Sequence, residues 1–197
     1  MDELISVLRV AHIVTAMTMA WPYYALAAVN QRIALGPPLG DRTDRYMENI
    51  LKNRTVACFV FQGTILVGGF LLMWARVAHT PLTVGDYLGD WAILVKIVIL
   101  LVMAGMISWI HLLVQPEIDR LFGNYGELAD DTKKRITALR MRRKKMASVC
   151  MFLAFSAAIL GVESAVGFPA WLTAVLLVAA ALWVWRSYTS KTRYGWV

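Results

Sequence analysis

Apolar residues in this chain fall in long, nearly unbroken runs separated by polar stretches, a pattern that predicts helices crossing a membrane. A crossing needs about 20 mostly apolar residues to cover roughly 30 Å of hydrocarbon. Five segments meet that requirement: 4–29, 56–78, 91–114, 147–166 and 168–188. The runs are apolar on every side and do not alternate, which argues against strands. Little more than Gly167-Phe168-Pro169 separates the last two spans, and Pro169 suits the first turn of a new helix, so these spans form a tight antiparallel hairpin. The expected fold is an all-α, polytopic membrane helix bundle, a single transmembrane domain over residues 1–197.

The basic residues orient it. Arg32, Arg42, Arg45, Lys52 and Arg54 lie on the 30–54 connection. The 115–146 connection carries Arg120, Lys133, Lys134, Arg135, Arg140, Arg142, Arg143, Lys144 and Lys145, and the tail adds Arg186, Lys191 and Arg193. These are alternate connections, hence one face, and the positive-inside rule puts that face and the C-terminus in the cytoplasm with the N-terminus outside. The expected location is the bacterial inner (cytoplasmic) membrane. Met1-Asp2-Glu3 lacks the basic start of a signal peptide, and the apolar stretch behind it is too long for one, so span one is read as retained.

Composition changes the picture in one respect. Of 197 residues, 59% are hydrophobic and 17% charged, and 20 Lys+Arg against 13 Asp+Glu give +7. Soluble domains run near 25% charged. The basic surplus falls between apolar runs, which excludes a soluble enzyme, a disordered tail, a disulfide scaffold and a soluble nucleic-acid binder. Cys58 and Cys150 lie within apolar segments and read as inert buried thiols. Trp21, Trp91, Trp109, Trp171, Trp183, Trp185 and Trp196 lie mostly near span ends, as an interfacial belt requires. Gly36-Pro37-Pro38-Leu39-Gly40 breaks the first basic connection, Trp21-Pro22 is expected to kink span one, and Asp130-Asp131-Thr132 is positioned to cap a helix running into span four.

Charge within a bilayer costs a few kcal/mol per residue, so it is usually paired or functional. Arg9 and His12 stand one turn apart on span one, Arg76 and His79 end span two, Lys96 lies one turn into span three, and Glu163 lies near the end of span four. Asp86 and Asp90 occupy the neighbouring connection. One reading has the three cations snorkelling to lipid headgroups, with Glu163 pairing one of them. The other is a cofactor site at Arg9, His12, Arg76, His79 and Lys96: haem b with His12 and His79 on iron and the cations on its propionates, or a quinone headgroup. His12 lies about 12 Å along span one and His111 about 30 Å along span three, near the opposite interface, so these two do not share a haem. His111 beside Trp109 reads as an interfacial imidazole, and the many Met residues read as gap-fillers before copper ligands.

Ala157, Gly161 and Ala165 on span four, Gly63, Gly68 and Gly69 on span two, and Ala104 and Ser108 on span three predict close helix contacts, within the bundle or with other membrane subunits. Arg140, Arg142, Arg143, Lys144 and Lys145 read as an anchor to anionic lipid, at about 1 kcal/mol per basic residue near the surface. No phosphate loop, nucleophile triad, HExxH or intramembrane carboxylate pair is present, so catalysis by this chain alone is not expected.

Leu8-Arg9-Val10-Ala11-His12, followed by small and apolar residues, resembles the opening helix of copper-resistance D-type membrane proteins and their uncharacterised relatives. Val95-Lys96-Ile97 resembles the start of their third helix. The resemblance covers spans one to three. The chain differs in having Pro22 after Trp21, where the family usually has Gly, and in lacking a Met/His-rich outer loop. It implies a helical bundle with a histidine on span one, able to hold metal or haem. Two functions are expected: a small accessory subunit of a respiratory or photosynthetic membrane complex or, alternatively, a b-haem- or quinone-binding electron-transfer protein.

Overall fold

The computed structural model describes residues 2–30, 32–33, 40–81, 83–123 and 128–189. Its elements in chain order are α1 (Asp2–Asn30), α2 (Arg42–His79), α3 (Val84–Gly89), α4 (Trp91–Trp109), a π turn (Ile110–Val114), α5 (Gln115–Phe122), α6 (Asp130–Val166) and α7 (Ala170–Thr189). Five helical stretches are long and apolar enough to cross a membrane, and they coincide with the five expected spans. Most of the large apolar side chains on them, such as Val60, Phe70, Leu101 and Leu182, are exposed, as lipid-facing positions would be. Residues 36–39, Lys191, Arg193 and Trp196 lie outside the described residues.

Two helices extend well past the apolar run. α2 begins at an Asp41 cap whose Oδ1 accepts from the Asp44 N–H at 2.7 Å. α6 starts at Asp130, several turns before span four. The expected helix through the basic stretch is present, but its cap is Ala129, without a side-chain bond, and Asp130 and Asp131 lie in the first turn. Carboxylates there favour the positive end of the helix dipole.

The continuous α1 runs through Pro22 without ending. Pro22 has no N–H to offer the Thr18 carbonyl, and lipid cannot supply a donor in its place. A second proline has a clearer structural effect. Pro116 follows the π turn, where the Gln115 N–H reaches back five residues to the Ile110 carbonyl. Widening the helix there relieves the clash that a proline ring makes with the carbonyl four residues before it. The wider turn leaves Ile110, Val114 and Gln115 buried and places His111 edge-on to Phe59, with ring centroids 5.8 Å apart.

α1 packs against α2 and α6, while α6 also packs on α4 and α7. The core where they meet holds Met19, Tyr23, Met103, Cys150, Met151 and Ala154. Both cysteines are buried and free, and Gln62 donates to the Tyr23 hydroxyl at 3.0 Å. Trp183 stacks on Tyr24 and meets Phe155 edge-on at the core's margin. A second, smaller core of Val114, Ile118, Phe122 and Ile136 joins α5 to the extension of α6.

The hairpin between α6 and α7 turns on Gly167, at φ 72°, a conformation that a Cβ would strain. Its N–H bonds the Glu163 carbonyl at 2.8 Å, and the Pro169 carbonyl accepts from Leu172 to start α7. The two basic connections and the end of α7 lie at one end of the bundle: Arg45 donates to the Phe122 carbonyl at 2.8 Å, and the Lys144 ammonium sits 5.2 Å above the Tyr188 ring. This is the basic end below; α3 and the α6–α7 turn mark the far end.

Candidate functional site

At the far end, α1, α2, α4 and α6 enclose a cavity of about 370 Å³. Arg9, His12, Arg76 and Lys96, four of the five residues expected to form a cofactor site, line it together. Spacing along each helix brings them to one depth: Arg9 and His12 are one turn apart on α1, Arg76 is in the last turn of α2, and Lys96 is just beyond the first turn of α4. The remaining lining is apolar apart from Ser164, with Asp90 and Tyr87 contributed from the α3 segment.

The fifth expected residue, His79, is exposed at the end of α2 and does not line the cavity. It stands one turn beyond Arg76, about 4.5 Å nearer the end of α2. The cavity therefore presents a single imidazole, not the two-histidine pair expected for haem b. Met19, Met73 and Met103 also line it. Among the described residues no group of three or more His, Cys, Asp or Glu is placed to hold a metal ion.

The His12 ring lies against two glycines of α2. A Cβ at Gly68 would stand 3.2 Å from Nδ1, and one at Gly69 would stand 3.3 Å from Cε1. These small residues admit an imidazole, not a neighbouring backbone. The small stripe of α6 likewise makes room: Ala157, Gly161 and Ala165 line the cavity, and a Cβ at Gly161 would meet nothing within 4 Å. Nδ1 of His12 is buried and has no hydrogen-bond partner among the described residues.

The cations here have little in the chain to bind. Lys96 Nζ reaches Ser164 Oγ at 3.5 Å, and neither it, Arg9 nor Arg76 makes an ion pair within 4 Å among the described residues. Asp90 uses one oxygen to cap the Ala92 N–H at 2.9 Å. Asp86 closes a capping box with Thr83, whose backbone and hydroxyl hydrogen bonds hold the carboxyl below its ordinary range. Glu163 does not line the cavity and makes no ion pair within 4 Å among the described residues, although it lies within electrostatic reach of Lys96; its Oε2 is buried without a hydrogen-bond partner. Burial pushes the Tyr87 hydroxyl up, Arg76 and Arg9 pull it back and Asp90 adds to it, which places both guanidiniums within electrostatic reach of Tyr87.

The basic end is built differently. Arg143, wholly buried, donates from Nη1 to Glu48 Oε2 at 2.8 Å and to Gln115 Oε1 at 2.6 Å, and from Nη2 to Asn30 Oδ1 at 3.0 Å. Arg140 donates from Nε to Glu48 Oε1 at 2.7 Å and from Nη2 to both Asp44 oxygens at 2.9 Å. Arg32 pairs with Glu48 and Asp44 from the connection after α1. Burial lowers its guanidinium to about 10, with the positive charges of Arg140 and Arg143 acting in the same direction and Glu48 and Asp44 opposing. Arg45 and Arg140 lie over the Phe122 ring, 5.5 and 5.3 Å from its centroid.

This corrects the expected lipid anchor. Arg140, Arg143 and Lys144 are buried within the chain, leaving Arg142 and Lys145 as the exposed members of the run. A helix turns about 100° per residue, so a run of six residues circles the axis and a basic run divides between protein and surroundings. Asn30, Asp44, Glu48 and Gln115 were not singled out by the sequence reading. A signal for part of this was available: Asp44 and Glu48 are four apart and Arg140 and Arg143 three apart, so each pair shares a helix face and the two faces are complementary.

Comparisons with protein-family models, curated proteins and solved structures find no match to this chain.

Proposed function

We propose that this is an accessory, non-catalytic membrane protein that holds a hydrophobic molecule with an electron-rich head, carbonyl or anionic, in the half of the bilayer away from the cytoplasm. One observation carries the reading: Arg9, His12, Arg76 and Lys96 converge on a cavity whose other walls, apart from Tyr87, Asp90 and Ser164, are apolar. Arg and Lys are donors only, so they complement acceptor atoms, and apolar walls suit a hydrocarbon or ring system. The basic residues of alternate connections support a cytoplasmic basic end, which puts the cavity in the outer half. Within a respiratory or photosynthetic assembly, such a chain supplies a niche for lipid or quinone beside catalytic subunits. Arg142 and Lys145 remain available to anionic lipid at the cytoplasmic surface.

The test is to purify the chain in mild detergent, extract it with organic solvent and identify what co-purifies by mass spectrometry. A single amphiphile retained at about one per chain, and reduced in Arg76→Ala and Lys96→Met, is the expected result. A delipidated chain that takes up neither a quinone nor a charged lipid at a saturable ratio overturns the reading. Orientation is tested separately: exposed Lys134 should react with an impermeant reagent only from the cytoplasmic side of sealed vesicles.

A further inference from the structure

Resting on the reading just proposed, we infer that the head held in this cavity is a phosphate ester carried on an acyl or prenyl chain, gripped by Arg9, Arg76 and Lys96 with His12 beside it. Charge balance points there first. Three cations and one carboxylate line the cavity, leaving two positive charges without a counter-charge in the lining. Counting Glu163, which acts on Lys96 from outside the lining, still leaves one. Uncompensated charge in a low-dielectric site is costly, and a neutral carbonyl head would leave the surplus in place. A phosphate ester removes it, carrying one negative charge as a diester and about 1.5 to 2 as a monoester at neutral pH.

Geometry points the same way. Two of the three cations are guanidiniums, whose planar forks match phosphate oxygens with paired hydrogen bonds, while Lys96 adds a point charge. They approach from α1, α2 and α4, so they surround a tetrahedral head in a way that one helix could not. The cavity also opens sideways: Leu66, Phe70 and Ile97 line it and are exposed on surfaces of α2 and α4 that a bilayer would cover. A hydrocarbon chain attached to the head can leave by that side. The same chemistry could arrive as a membrane lipid or as free phosphate, and the chain-bearing form is the one that the apolar walls favour.

The experiment is calorimetric titration of the delipidated full chain in detergent with dioctanoyl phosphatidate, dioctanoyl phosphatidylglycerol, dioctanoylglycerol, decylubiquinone and inorganic phosphate. We expect both phosphate lipids to saturate at one site and to bind about 100-fold more tightly than the uncharged diglyceride or quinone, as loss of several charge-assisted bonds requires. Arg76→Ala should weaken them about 10-fold, with partial recovery in Arg76→Lys. Quinone binding as tight as phosphatidate overturns the phosphate assignment and leaves the proposed function standing. No saturable binding of any amphiphile overturns both, and marks the cations as snorkelling to ordinary lipid. Inorganic phosphate binding as tightly as phosphatidate overturns the requirement for a chain. The ligand series on the unmodified chain decides among these outcomes even if a variant fails to fold.

Discussion

At the basic end, Arg32, Arg140 and Arg143 meet Asp44, Glu48, Asn30 and Gln115; at the far end, Arg9, Arg76 and Lys96 meet Asp90 and a serine hydroxyl. Both sites gather three cations, from α6 and the connection after α1 at the basic end and from α1, α2 and α4 at the far end. In the first, two carboxylates and two amide oxygens come from other elements of the same chain, and each of the three guanidiniums donates to at least one of the carboxylates. In the second, the chain supplies one carboxylate to the lining, Asp90, and no ion pair within 4 Å among the described residues. A network whose partners are internal contributes to holding the helices in register. A cluster of cations without internal partners does not stabilise the fold; it raises the free energy of the bundle until something else supplies the negative charge.

That contrast predicts opposite responses to removing a charge. The largest effect is expected from Glu48→Ala, which leaves three arginines around a missing carboxylate; breaking a buried pair in this way costs about 3–5 kcal/mol. Thermal unfolding in detergent, followed by size-exclusion recovery, should show a strong loss of stability or failure to recover a monodisperse chain. A variant as stable as the original would mean that the network does not hold the basic end together.

Next in size is the loss of the aromatic between Arg45 and Arg140. Phe122→Leu keeps the apolar volume of the smaller core approximately but removes two cation–π contacts, at about 0.5–1 kcal/mol each. A fall of about 1–2 kcal/mol in unfolding free energy is expected, with amphiphile binding at the far end unchanged. A change in binding without a change in stability would break the separation of the two ends.

Arg76→Ala should do the reverse. Removing one of three like charges relieves repulsion, so stability should stay within about 0.5 kcal/mol or rise slightly, while retention of the bound amphiphile falls. If Arg76→Ala destabilises as strongly as Glu48→Ala, the far cluster is structural and the comparison fails. Gly69→Ala sharpens the point without altering charge. Its Cβ would stand 3.3 Å from His12 Cε1, forcing the imidazole to move a few tenths of an ångström. The expected outcome is a stability loss of about 1 kcal/mol and weaker amphiphile binding. The smallest effect belongs to His79→Ala: exposed and outside the cavity, it should leave both stability and binding unchanged within error.

The spans were legible because lipid imposes a one-dimensional rule. Backbone groups in hydrocarbon must bond within their own helix, and the segment must be apolar for about 20 residues, so each crossing can be read without knowing its neighbours. The depth of Arg9, His12, Arg76 and Lys96 was legible for the same reason, through rise per residue. Direction around the helix was harder. His79 lies one turn, about 4.5 Å, beyond Arg76 at the very end of α2, where it is exposed and outside the cavity lining. Arg140 and Arg143 were misassigned to lipid because their partners lie 92 to 96 residues away in the chain, and a basic run shows nothing of the carboxylates it will meet. The π turn was not legible either: Pro116 signals a disturbance, but whether the helix breaks, kinks or widens depends on what Ile110, Val114 and Gln115 can bury against.

By itself, the sequence determined five apolar helices, the alternation that gathers the basic connections at one end, and the approximate depth of each charged group. All three follow from composition along one axis, the direction of crossing. Only the tertiary structure decided which charges are neighbours, because that depends on helix rotation and on contacts between residues far apart in the chain. It assigned Arg140 and Arg143 to internal carboxylates, left His79 outside the cavity that His12 lines, and set Arg9, Arg76 and Lys96 around that cavity with a net positive charge.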